Sequence, residues 1–113
     1  MAKIKLPDSL ARRHLLEGKL DAKKARAIAD AYLEQGREIE AIDFLSHAEA
    51  TDELGQLQKA ALERGDVFLM KAASAALGDE PSSQTWRDLA TAATAKGRER
   101  DAESAARLAT VEA

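Results

Sequence analysis

Gly36, Gly65 and Gly97 each divide two apolar, helix-prone stretches, and they recur at intervals of 29 and then 32 residues. A period in the low thirties is what a row of helical hairpins produces, with one turn glycine in each hairpin. A hairpin this short cannot bury its apolar face alone, so neighbouring copies must complete the core. Stacks of this kind present extended surfaces to partners. The spacing therefore constrains architecture strongly and chemistry very little.

The composition agrees. Apolar residues make up 45% of the 113 positions, yet only Tyr32, Phe44, Phe68 and Trp86 are aromatic. Alanine supplies much of the rest, which favours helix and lets backbones approach closely. β-branched residues are sparse and no useful stretch alternates apolar with polar, so strands are not expected. The class is all-α, and the length suits a single domain over 1–113.

Helix signals divide the chain finely. Pro7, Asp8 and Ser9 open a short helix over about 9–17, ending at Gly18. Apolar spacing predicts further helices over about 20–35, 38–49, 52–64, 66–77, 83–96 and 99–111. Their inward faces include Ile28, Tyr32, Ile39, Leu45, Leu57, Leu62, Met70, Leu89 and Ala105. Thr51 or Asp52 is expected to cap the fourth helix, and the segment 78–83 is the one clear loop.

Charge and motifs exclude more than they assign. There is no cysteine, which removes disulfides, thiol chemistry and sulfur-ligated metals. The first seven residues hold no apolar run of signal-peptide length, and no stretch approaches the roughly 20 apolar residues of a spanning helix. A cytoplasmic protein with no membrane partner is expected. The net charge of −3 is uneven: residues 1–26 carry eight Lys or Arg against three acids, and the remainder carries nine against seventeen. The basic lead, +5 against −8, offers a surface for an acidic partner, but no aromatics are interleaved for base stacking, so nucleic acid is disfavoured. Asp43 and His47 are one turn apart, yet a zinc site needs three or four ligands and no second pair has matching spacing. They read as an i,i+4 helix pair. His14 is tied to no serine or cysteine by any motif. No phosphate loop or paired-carboxylate motif appears, so no enzyme, cofactor or metal is expected.

Aligned on their glycines, the three units are AIADAYLEQGREIEAIDFLSHA, LQKAALERGDVFLMKAASAALG and LATAATAKGRERDAESAARLAT. This resembles the tetratricopeptide repeat: Trp, Leu, a small residue and Tyr on one helix, a turn glycine, then Ala, a large apolar residue and Ala on the next. The first unit matches at Ile28, Ala29, Tyr32, Gly36, Ala41, Leu45 and Ala48. The third matches at Trp86, Leu89, Ala90, Gly97, Ala102 and Ala109, with Ala93 in the place of tyrosine and Ala106 in the place of a large residue. In the middle unit Leu54, Leu57 and Gly65 fit, whereas Gln58, Met70 and Ser74 depart from the pattern.

The resemblance implies a right-handed α-solenoid of about three hairpins, over about 22–50, 51–81 and 82–113, with 1–21 as an N-terminal cap. It also implies a concave groove for a partner peptide or helix. Carried over by position, that groove is lined by Lys23, Arg26 and Asp30, then Lys59 and Glu63, then Arg87, Thr91 and Thr94. A carboxylate clamp of the chaperone-tail kind is disfavoured, because the chain has no asparagine and Asp30 occupies one of the places that would need it. The expected function is a small non-enzymatic adaptor. Two alternatives are self-association through the last helix, with Ala102, Ala105, Ala106, Leu108, Ala109 and Val111 spread over more than one face, and binding of nucleic acid or an acidic partner through the basic lead.

Overall fold

The computed structural model describes residues 20–111, which are all-helical: six α-helices and no strand. These are α1 (Ala22–Glu34), α2 (Glu38–His47), α3 (Thr51–Arg64), α4 (Val67–Leu77), α5 (Ser83–Ala95) and α6 (Glu99–Val111). The helix expected over 9–17 and its stop at Gly18 lie outside the described residues. Two compact units divide the chain, 1–54 and 55–113, and the boundary falls inside α3.

One turn chemistry recurs at each glycine of the period. Gly36, Gly65 and Gly97 take φ values of 72°, 71° and 72°, the left-handed region in which a Cβ is costly. The following amide then reaches back to the helix it has left: Arg37 N–H to Tyr32 O at 3.0 Å, Asp66 N–H to Ala61 O at 2.9 Å and Arg98 N–H to Ala93 O at 2.8 Å. Tyr32, Ala61 and Ala93 are thus equivalent positions. The residue after the glycine begins the next helix in two ways. Arg37 pairs with Glu40 at 2.6 Å and Arg98 with Asp101 at 2.7 Å, each through its Nε, whereas Asp66 caps directly by accepting from Leu69 N–H at 3.0 Å.

In the first unit, α1 packs on α2 and their shared core is aromatic. Tyr32 and Phe44 are fully buried and stacked, with ring centroids 5.7 Å apart, and the Arg37 guanidinium lies 4.9 Å from the Tyr32 centroid. Asp21 caps α1 by accepting from Lys24 N–H at 2.8 Å. The half-buried His47 ring, at the end of α2, is hydrogen-bonded through Nε2 to the Leu20 carbonyl just before α1. That bond fastens the two ends of the hairpin and replaces the expected pairing of His47 with Asp43, which is exposed. Ile39 is also more exposed (37%) than its apolar spacing implied.

The connection from α2 to α3 departs from expectation too. Glu49 takes a positive φ of 55°, and Ala50 N–H reaches back to Leu45 O at 2.9 Å. Ala50 then supplies the first helical carbonyl, accepting from Leu54 N–H at 3.1 Å. Thr51 is therefore already inside α3, and neither it nor Asp52 stands at the cap. Alanine at a cap leaves early amides without side-chain acceptors, and the acidic Asp52 and Glu53 in the first turn offset this electrostatically.

In the second unit, α5 packs closely on α6, and α4 also touches α6. Gly65 lies directly against α5. A Cβ built there would stand 2.5 Å from the Ala93 nitrogen and 2.7 Å from the Ala93 Cβ. This explains why alanine occupies the position of tyrosine in the third hairpin: the backbone of the preceding turn fills that space. Beside it, Asp66 and Arg98 are 3.8 Å apart, so the two glycine turns of this unit are neighbours.

The three residues that break the repeat pattern in the middle hairpin touch one another. Gln58 Nε2 donates to Ser74 Oγ at 3.0 Å, and Ser74 Oγ lies 3.6 Å from Met70 Sδ. Ser74 is buried at 4% exposure, so its hydroxyl needs these partners. Truncating one member strands the other, whereas truncating both does not. Ser74→Ala is expected to cost about 1–2 kcal/mol, and the Gln58→Leu/Ser74→Ala pair less than the sum of the singles. Additive losses in a urea double-mutant cycle would show that the two side chains act independently.

Candidate functional site

The expected groove residues sit on the solvent sides of α1, α3 and α5. In the first unit Lys23, Arg26 and Asp30 are all exposed on α1. Arg26 is nevertheless committed: its guanidinium is ion-paired with Glu53 at the start of α3 and lies 3.8 Å from Asp30 one turn along. It ties α1 to α3 inside the unit. Lys23 stays in solvent.

In the second unit Lys59 and Glu63 project from α3, and Arg87, Thr91 and Thr94 from α5, all exposed. Arg87 donates to Gln84 Oε1 at 3.0 Å. The two threonine hydroxyls turn back onto their own helix, Thr91 to the Arg87 carbonyl at 3.1 Å and Thr94 to the Ala90 carbonyl at 2.9 Å. Tyr32, Ala41, Gly65 and Trp86 are buried, Gly36 and Gly97 are exposed at their turns, and Ala102 is half-buried.

The last helix uses its apolar residues unequally. Ala105 and Ala109 are buried, Leu108 is half-buried and Ala106 is exposed. Among the described residues no helix is long and apolar enough to cross a membrane, and no three His, Asp or Glu side chains converge as metal ligands.

A concavity absent from the expectations lies in the second unit. It is a cleft of about 430 Å³ bounded by α4, the 78–82 loop, the start of α5 and the end of α6. Trp86, Leu108, Pro81 and Ala75 give it apolar walls, while Lys71, Asp79 and Glu80 bring charge to it. Its volume falls within the usual range for small-ligand pockets. The loop that shapes it is fixed at both ends. Gly78 (φ 68°) closes α4 with Asp79 N–H on Ser74 O at 3.0 Å, and Ser82 caps α5 by accepting from Thr85 N–H at 3.1 Å. The breaker-rich segment 78–83 beside a lone tryptophan was the legible signal; which helices would meet around it was not. No family model, curated protein or solved structure matches the chain.

Proposed function

We propose that the protein is a non-enzymatic, cytoplasmic interaction module: a right-handed stack of about three tetratricopeptide-like hairpins. It holds a peptide or helix of another protein in a concave groove lined by its first helices. The observation that carries this reading is the equivalence of the three glycine turns, each with the same φ and the same backward amide bond from the next residue. Repetition of one closed hairpin is what a binding solenoid is built from. Exposed Lys59, Glu63, Arg87, Thr91 and Thr94 then supply a mixed polar surface for recognition.

The test uses Lys59→Glu with Arg87→Glu, because neither residue forms an ion pair with another helix in the described structure. Arg26 is a poor choice: a glutamate there would face Asp30 and Glu53 and unsettle the unit itself. Surface reversals of this kind change stability by about 0.5 kcal/mol or less. The double variant is expected to keep its melting profile and lose proteins that co-purify with the parent chain from its host. An unchanged set of co-purifying proteins would refute the groove.

A further inference from the structure

We propose that the α4–α6 cleft is a second protein-docking site, one that takes an arginine side chain from an extended partner segment running along α4. The site lies wholly in the second unit and does not depend on the groove reading above.

Charge selects the occupant. Asp79 and Glu80 are exposed at the cleft and neither carboxylate forms an ion pair among the described residues; Lys71 is the cation there. The lining therefore carries one uncompensated negative charge beside an apolar wall. A long cationic side chain matches both features: its methylene stem lies on the half-buried Leu108 and Pro81, beside the edge of Trp86 that reaches the cleft, while its head meets the carboxylates. Arginine suits this better than lysine, because a planar guanidinium bridges two carboxylates. An anionic occupant, whether nucleic acid or a phospholipid surface, would meet the same two carboxylates and be repelled.

The α4 surface extends the site beyond the cleft. Phe68 is 66% exposed, more than any other large apolar side chain among the described residues. It shares a helix face with Lys71 and Ala75, three and seven positions on, and both of these line the cleft. Seven residues of helix rise about 10 Å, the span of about three extended residues. A segment with arginine in the cleft thus places an apolar residue over Phe68 three positions away. A small cationic metabolite would leave Phe68 uncovered, which favours a polypeptide.

Trp86 is the only tryptophan in the chain, so its fluorescence reports on the cleft directly. The probes are the capped tetrapeptides Ac-Arg-Ala-Ala-Leu-NH2 and Ac-Leu-Ala-Ala-Arg-NH2, which cover both chain directions, with glutamine replacing arginine as controls. At least one arginine peptide is expected to shift Trp86 emission and the amide resonances of Lys71, Ala75 and 78–81. It should bind about tenfold tighter than its glutamine counterpart, the scale of one charge-assisted contact. Asp79→Asn with Glu80→Gln should abolish that preference at unchanged melting temperature. Phe68→Ala should weaken binding about fivefold and keep the arginine preference. Equal affinity for arginine and glutamine peptides, resonance shifts confined to other helices, no binding in the millimolar range, or a stronger response to anionic phospholipid vesicles would each overturn the proposal.

Discussion

Gly65→Ala lowers stability by about 2–5 kcal/mol, the largest loss expected from adding one methyl group anywhere among the described turns. Two effects combine. A left-handed φ of 71° costs an L-residue about 1–2 kcal/mol. The new Cβ also meets backbone atoms of Ala93, which cannot rotate aside as a side-chain tip would, and overpacking of that sort adds about 1–3 kcal/mol. Gly36→Ala and Gly97→Ala are the controls, because they share the φ but have nothing within 4 Å of the added atom. Each should lose only the conformational part, about 1–2 kcal/mol. Urea midpoints for the three variants separate the contributions. Three equal losses would mean that the turn at 65 does not lie against α5.

Phe44→Ala is the second large effect, expected at about 3–5 kcal/mol. Phe44 is fully buried and stacked on Tyr32, so truncation opens a cavity and removes the ring pair that joins α1 to α2. Phe68→Ala makes the same chemical change at a 66% exposed position and should be nearly neutral. Native-state hydrogen exchange adds location: in Phe44→Ala the amides of α1 and α2 should lose protection before those of α5 and α6. A loss at Phe68 equal to that at Phe44 would contradict this assignment of core and surface.

Most helices were legible because their ends are written in local chemistry. Gly36, Gly65 and Gly97 stop helices through backbone freedom, and Ser82 starts one through its hydroxyl, so the expected limits fall within a few residues of those observed. The stop at Glu49 was not legible. Glutamate has no preference for positive φ, and only the surrounding hairpin holds it there. His47 shows a different gap: its spacing suggested a partner on its own helix, but the ring reaches a carbonyl 27 residues away. The residues carried over as groove-lining are exposed, which is as much as helical periodicity decides. That Arg26 is spent on Glu53 was hidden, because the pairing needs two helices to meet. The departures at Gln58, Met70 and Ser74 looked like independent weaknesses of the pattern, and contact turned them into one compensating set.

The fit of Gly65 onto Ala93 bears on how such a chain could be lengthened or rearranged. Ideal repeats are interchangeable tiles. Here the first hairpin carries Tyr32 at the place where the third carries Ala93, so transplanting it behind the glycine turn at 65 would drive a phenol ring into main-chain atoms. Shuffling or tandem duplication would therefore need a matching change at that one seam, and shape enforces the order of these hairpins in the chain.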